Sequence, residues 1–374
     1  MPKQRVMTVF GTRPEAIKMA PVIQELEKDG CFDPLVVVTA QHREMLDQVL
    51  ELFGIQPQVD LDLMTENQSL ADLSASIFTG LDAVLADNQP DWLLVQGDTT
   101  TVMVASLCAY YRQVKVGHVE AGLRTGNKWA PFPEEVNRRV AGVVADLHFA
   151  PTEWARNNLL REGVPGEQIR VTGNTIIDAQ QQIIAQPMPI EIRKLLEEKK
   201  ILSGERTLIM VTAHRRENFG APIRSICEAL RTLAADCRGQ IELVYPVHLN
   251  PNIQAPVNEL LGGIPNLTLL PPLDYLPLTH LLKNATLILT DSGGIQEEAT
   301  GLGIPCLVLR DETERPEGVK AGVLRLVGTE TGSIIAETKR LLADRQAYQE
   351  MAHAANPYGD GRAAQRIVTA LSEY

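Results

Sequence analysis

Short β-branched runs of four to six residues alternate with longer stretches whose apolar residues fall at helical spacing, and nothing else in the chain constrains its fold as much. Strand and helix in regular succession is the pattern of parallel strands joined by crossover helices, so an α/β architecture is expected. Strands are predicted over 6–10, 35–39, 92–95, 114–118, 147–150 and 169–172. Pro14 suits a first helical position, and Ile17, Met19, Ala20, Ile23 and Leu26 recur at helical spacing after it. A second series is predicted over 208–212, 241–245, 267–270, 287–290 and 306–309. Between the two series, 173–204 carries Pro187, Pro189 and Glu197-Glu198-Lys199-Lys200, which read as an exposed connection. The expected division is a first domain over 1–172, a second over 173–358, and a terminal helix within 359–374 that either stays with the second domain or packs back on the first. Two similar domains with a ligand cleft between them are expected, and no sequence repeat points to a solenoid.

Composition narrows the function classes. With 374 residues, 44% hydrophobic and 22% charged, the chain can bury an ample aliphatic core. Lys plus Arg number 35 against 47 Asp plus Glu, a formal charge of -12, which disfavours nucleic acid and anionic membranes as partners. Any phosphate-bearing ligand therefore needs locally placed cations. The apolar run before Gly11 is too short for a signal-peptide core, and no stretch approaches a membrane span, so a cytoplasmic protein is expected. The five cysteines show no Cys-x-x-Cys spacing, and the histidines show no paired spacing. Neither a disulfide framework nor a metal site is expected. The glycine fingerprints of dinucleotide and triphosphate loops are missing, as is Gly-x-Ser-x-Gly, so no nicotinamide cofactor is expected.

In open parallel sheets ligands bind beyond the carboxyl ends of the strands, which makes four loops suspect. Three belong to the first domain: Gly11 to Lys18 with Arg13, Gly97-Asp98-Thr99, and Glu120-Ala121-Gly122. Asp98 reads either as a helix cap or as an acid/base group, and Glu120 either as a satisfied loop carboxylate or as its partner. Glu134, after Pro133, either serves the same chemistry or pairs with Arg138 four residues on. In the second domain Ser292-Gly293-Gly294 opens a helix, where free amides favour an anion, and Glu298 lies one turn beyond, placed to accept ribose hydroxyls. An ordinary glycine-rich turn is the alternative. His214-Arg215-Arg216-Glu217 and Arg315 are either a diphosphate-neutralising set or surface ion pairs.

Taken together, Phe10-Gly11-Thr12-Arg13-Pro14-Glu15, Thr39-Ala40-Gln41-His42-Arg43, Gly97-Asp98-Thr99-Thr100-Thr101, Gly117-His118-Val119-Glu120-Ala121-Gly122, His214-Arg215-Arg216-Glu217-Asn218, Tyr245-Pro246-Val247-His248, Asp291-Ser292-Gly293-Gly294-Ile295-Gln296-Glu297-Glu298 and Glu314-Arg315-Pro316-Glu317 resemble the non-hydrolysing UDP-N-acetylglucosamine 2-epimerases of bacteria, over about 6–366. The resemblance implies the GT-B type of fold, two Rossmann-like domains facing a central cleft, and a homodimer. It implies interconversion of UDP-N-acetylglucosamine and UDP-N-acetylmannosamine through loss and re-addition of UDP, with no cofactor or metal. Carried over by motif, Asp98, Glu120, Glu134 and His214 are the catalytic candidates. Arg13, Lys18, Ser292, Gly293, Gly294, Glu298 and Arg315 are the substrate-binding ones. Gln41, His42 and His248 match a second, activating UDP-N-acetylglucosamine site of some relatives, although Glu44 and Asn67 depart from that pattern.

Overall fold

The computed structural model describes residues 3–39, 43–63 and 68–374, with the side chains of 43 and 44 outside the description. The chain forms two compact units, Met1–Ala179 with Tyr358–Tyr374, and Gln180–Pro357. Among the described residues each unit contains one sheet, parallel throughout.

Unit 1 consists of β1 (Gln4–Phe10), β2 (Phe32–Val38), β3 (Val59–Asp60), β4 (Trp92–Gln96), β5 (Lys115–Val119), β6 (Leu147–Ala150) and β7 (Ile169–Val171), in the order β3-β2-β1-β4-β5-β6-β7. Unit 2 consists of β8 (Thr207–Thr212), β9 (Ile241–Pro246), β10 (Leu267–Leu270), β11 (Leu287–Thr290), β12 (Cys306–Val308) and β13 (Leu324–Leu326), in the order β10-β9-β8-β11-β12-β13. Both are doubly wound, Rossmann-like sheets of the GT-B class, and each reverses its winding once, between β1 and β4 and between β8 and β11. At such a reversal adjacent strand ends send their connections to opposite faces, which opens a crevice for ligands.

The central strands are buried on both faces, and their period of two divides the core of unit 2. Ile209, Val211, Leu243, Tyr245 and Leu289 meet Ile223, Ile226 and Leu230 of the helix Ala221–Asp236. Leu208, Met210, Val244 and Ile288 face the other way, toward Ile192, Leu196 and Leu281. Each such side chain contributes about 1.5 to 3 kcal/mol on leaving water, and this fixes the register, since a one-residue slip would exchange the two faces. In unit 1, Met7, Val9, Leu93 and Val95 pack with Leu81, Leu85, Val102 and Ala105.

Two strands, β3 and β13, have no counterpart in the sequence-based expectation. They are two and three residues long and lie at sheet edges, too short for any hydrophobic period to register. The terminal helix Ala363–Ser372 buries Ala363, Ala364, Ile367, Val368, Ala370 and Leu371 and packs on the helix Arg13–Lys28. Asp178 holds its first turn by accepting from the amides of Ala363 and Ala364 at 3.2 and 2.9 Å.

Candidate active site

At the reversal in unit 1 the loops after β1 and β4 are tied by one carboxylate. Glu15 stands in the first turn of the helix Arg13–Lys28, entered through Pro14. Its Oε2 accepts from the amides of Gly11 and Thr12 at 3.1 and 2.8 Å, and its Oε1 accepts from the Thr99 hydroxyl at 2.6 Å. Burial pushes its carboxyl above the ordinary range, against the pull of those donors. The Thr99 hydroxyl also accepts from the Val102 amide at 3.3 Å and so caps the helix Thr100–Tyr111. The cap is therefore Thr99, which leaves the Asp98 carboxylate to another task.

Asp98 Oδ2 accepts from Arg138 Nη2, and its carbonyl accepts from Asn137 Nδ2 at 2.9 Å. Just before it, the Gly97 carbonyl accepts from His118 Nε2 at 2.7 Å. Burial drives the His118 imidazole down to about 4, so at neutral pH it is uncharged, and the carbonyl requires the proton on Nε2. Arg138 also reaches Glu135 at 3.5 Å. The pairing of Glu134 with Arg138, one reading of that spacing, does not form, because Arg138 turns toward Asp98 and Glu135 instead. Glu134 opens the helix Glu134–Val144, half-buried, with a buried Oε2 that lacks a hydrogen-bond partner among the described residues.

Glu120, in the loop after β5, pairs with Lys18, and its Oε2 accepts from Asn174 Nδ2 at 3.1 Å. Both side chains of the pair are less than a tenth exposed. Glu120 adopts φ 62°, a left-handed conformation that costs a non-glycine residue of order 1 kcal/mol or more and clusters at functional sites. Arg13 stands half-buried at the start of the same helix as Lys18. The structure thus brings Lys18 and Glu120 into contact and places Asp98 on the neighbouring strand end, each acid facing a cation.

Unit 2 carries a different set at its own reversal. Asp291, fully buried after β11, accepts from the amides of His214 at 2.8 Å and Arg215 at 2.8 Å and from Asn218 Nδ2 at 2.9 Å. His214 Nδ1 lies 3.7 Å from its Oδ1. Burial lowers the pKa of His214, Asp291 opposes that, and the neighbouring His248 and Arg215 add to it. The His248 ring stacks on His214 with centroids 5.5 Å apart. Ser292 stands at the N-cap of the helix Gly293–Gly301 with no side-chain capping bond, so the first amides of the helix take no partner from its hydroxyl. Glu298 lies on that helix, 5% exposed.

Gly293 packs closely against two side-chain ends. A Cβ there would stand 2.5 Å from Arg315 Nη1 and 2.8 Å from Glu314 Oε1. Arg315 donates from Nε to Glu297 at 2.8 Å and pairs with Glu314 at 2.7 Å. Arg215 and Arg310 reach the same Glu314 at 3.2 and 2.7 Å. His214, Arg215 and Arg315 therefore belong to one partly buried network at the strand ends, rather than to separate surface pairs. Glu15, Arg138, Asp291 and Glu314 escape the sequence-based reading. Only the motif contexts of Glu15, Asp291 and Glu314 carried a hint, since their partners lie up to 99 residues away. Gln41 and His42 lie outside the described residues. Among the described residues no three His, Cys, Asp or Glu side chains gather as a metal-binding group, and no helix is long and apolar enough to cross a membrane.

The family model for UDP-N-acetylglucosamine 2-epimerase matches residues 24–372. The UDP-N-acetylglucosamine 2-epimerase of Salmonella typhimurium is 53% identical over 372 residues, covering 99% of both chains. The crystal structure of UDP-GlcNAc 2-epimerase from Neisseria meningitidis bound to UDP-GlcNAc superposes with a TM-score of 0.93 at 48% identity, over 99% of this chain and 100% of that one. The enzyme of Methanocaldococcus jannaschii, in complex with UDP-GlcNAc and UDP, gives 0.83 at 33% identity with the same coverage.

Proposed function

Since the chain belongs to the UDP-N-acetylglucosamine 2-epimerase family, we propose that it inverts C2 of UDP-N-acetylglucosamine reversibly, giving UDP-N-acetylmannosamine for surface polysaccharide synthesis. The observation that carries this reading is the complementary chemistry of the two reversal points: cation-paired carboxylates in unit 1, and a helix N-terminus with converging arginines in unit 2.

The C2 hydrogen sits beside an acetal carbon, so its removal alone would leave a carbanion with no carbonyl to stabilise it. Elimination avoids this. As a base takes the C2 proton, the C2–H electron pair forms the C1=C2 bond and the C1–O bond to UDP breaks, leaving 2-acetamidoglucal. Protonation of C2 on the opposite face with return of UDP to C1 completes the inversion. The protein's task is to stabilise the departing diphosphate, where each well-placed donor is worth about 3 to 4 kcal/mol, and to deliver and take protons. In this proposal Ser292, Gly293, Gly294, Glu298 and Arg315 hold UDP, with His214 at the diphosphate. Asp98, Glu120 and Glu134 supply the acid/base groups, and Arg13 and Lys18 balance charge. His248, stacked on His214, belongs to a second UDP-N-acetylglucosamine site together with Gln41 and His42. Sigmoidal kinetics support that second site, and strictly hyperbolic kinetics in both directions count against it.

A homodimer is also proposed. Tyr110, Tyr111 and Val143 are 59%, 66% and 84% exposed on helices of unit 1, large apolar side chains that a second copy would cover. The exposed Cys31 thiol suits a reducing cytoplasm. The test of the reaction is incubation with UDP-N-acetylglucosamine in deuterated water, followed by proton NMR. Deuterium at C2 together with a growing UDP-N-acetylmannosamine signal is expected; an unchanged spectrum overturns the reading.

A further inference from the structure

One buried carboxylate of unit 1 has no part in the proposed reaction. Glu135, 0% exposed, lies in the first turn of the helix Glu134–Val144. Its Oε2 accepts from the Thr125 amide and its Oε1 from the Gly126 amide, both at 3.1 Å. Taking a carboxylate out of water is costly unless donors and cations replace its hydration, and the exposed stretch 125–130 supplies two of those donors. Among the described residues the other hydrogen bonds of 125–130 run within that stretch, such as Thr125 Oγ1 to the Ala130 carbonyl at 2.6 Å. Glu135 is therefore the tie between this stretch and the helix.

The same carboxylate faces Arg138, one turn on. Arg138 Nη1 lies 3.5 Å from Glu135 Oε2, and Arg138 Nη2 donates to Asp98 Oδ2. Arg138 is 4% exposed, and its Nε and Nη1 have no hydrogen-bond partner among the described residues. The two carboxylates it faces thus set the plane of its guanidinium. Asn137 donates to the Asp98 carbonyl at 2.9 Å, so this helix grips both the backbone and the side chain of Asp98.

We propose that Glu135 is a positioning residue for Asp98. Fixed by the Thr125 and Gly126 amides, it orients the Arg138 guanidinium, and Arg138 in turn sets where the Asp98 carboxylate points. Glu135 touches neither sugar nor nucleotide in this scheme, which rests on the reading that Asp98 is an acid/base group of the epimerisation. A misplacement of about 1 Å at a reacting group costs up to about a hundredfold in rate.

The test is a double-mutant cycle on turnover of UDP-N-acetylglucosamine by the unaltered protein, Glu135→Gln, Arg138→Lys and the double variant, with UDP affinity measured alongside by calorimetry. Glu135→Gln keeps the shape and loses the charge, and is expected to lower kcat about tenfold while KM and UDP affinity change by less than about threefold. Arg138→Lys keeps a cation but loses the planar fork that meets both carboxylates, and is expected to lose at least as much. The double variant should fall below Arg138→Lys by less than about threefold, because Glu135 acts through Arg138. A general loosening of unit 1 would multiply the two losses. That result, normal kcat in Glu135→Gln, or UDP affinity falling in step with kcat overturns the proposal. Should Glu135→Gln fail to fold, Glu135→Asp, with the charge on a stem one methylene shorter, takes its place in the same cycle with the same expected outcome. Unaltered protein that does not turn over UDP-N-acetylglucosamine overturns the functional reading beneath, and this one with it.

Discussion

The two units share one strand order around their reversal points and solve the same mechanical problem there with one buried carboxylate each, yet the carboxylates stand in different places. In unit 1 Glu15 rides on the helix after β1 and reaches back to Gly11, Thr12 and across to Thr99. In unit 2 Asp291 is itself in the loop after β11 and reaches across to His214, Arg215 and Asn218. The consequence is chemical. With the anchor on its helix, unit 1 leaves its loops free to present Asp98 and Glu120, each against a cation. With the anchor in the loop, unit 2 leaves the helix after β11 to open on Ser292 and two glycines, an anion-binding end. Topology thus sets where a site forms, and the residues that close the crevice set which charge it handles.

The sharpest way to break this comparison is to damage each side and ask whether chemistry and nucleotide binding separate. Asp98→Asn and Glu120→Gln are expected to lower turnover by about a hundredfold or more while leaving UDP affinity nearly unchanged. Steady-state kinetics and UDP titration of both variants check this. Near-normal turnover in both would remove the acid/base assignment from unit 1.

Next in size is the pH effect of one imidazole in unit 1. His118 titrates at about 4 in the folded protein, well under the ordinary 6.5, because burial disfavours its cation. Between those values the unfolded chain binds the extra proton, so the histidine's contribution is fully present above about pH 6.5 and is lost as pH falls toward 4. At pH 4.5 the loss amounts to about 2 to 3 kcal/mol. In His118→Gln, whose amide can still donate to Gly97, the decline in urea stability from pH 7 to 4.5 should be shallower than in the unaltered protein by that amount. Parallel declines would mean that the imidazole is not held neutral.

How much of this was legible beforehand follows from the range of each interaction. The eleven predicted strands all have counterparts, because burial on both faces writes itself as a local apolar run; β3 and β13, brief edge strands, leave no such trace. Asp98, Glu120, His214 and the Ser292 turn stood out because each follows a strand, a local and therefore readable position. Lys18, the partner of Glu120, stood out with them because it lies in the stretch after β1, but the other long-range partners did not. Arg138 lies 40 residues from Asp98, and Glu314 lies 99 from Arg215, each an ordinary charged residue on a helix or in a loop until the fold brings it home. The i to i+4 spacing of Glu134 and Arg138 misled for the same reason, since a local rule worth a few tenths of a kcal/mol loses to a buried long-range ion pair.

The glycine turn of unit 2 offers a finer test, at about tenfold. Gly293→Ala drives its methyl into Arg315 and Glu314, so both stability and UDP affinity should fall. Gly294→Ala meets nothing within 4 Å, so the fold should tolerate it, with helix propensity adding about 0.5 to 1 kcal/mol. Its methyl nevertheless stands in the first turn, where an anion must approach the amides. Weaker UDP binding, by about tenfold, with an unchanged or raised melting temperature is expected. Normal UDP binding in Gly294→Ala would move the phosphates away from this helix end.

The smallest effect separates an anchor from an ordinary cap. Thr99 caps the helix Thr100–Tyr111 in unit 1 and also donates to buried Glu15, whereas Asn250 caps the helix Pro251–Leu261 in unit 2 by accepting from the Asn252 amide at 2.9 Å. Removing a cap costs about 0.5 to 2 kcal/mol, and the lower part of that range is expected for Asn250→Ala. Thr99→Ala should lie at the upper end, near 2 kcal/mol, because it also leaves the buried Glu15 oxygen without its donor. Urea unfolding of the two variants measures the difference, which is the contribution of the anchor over the cap. Equal losses would mean that Glu15 draws enough from Gly11 and Thr12 alone, and that the loops after β1 and β4 are joined by the sheet rather than by this carboxylate.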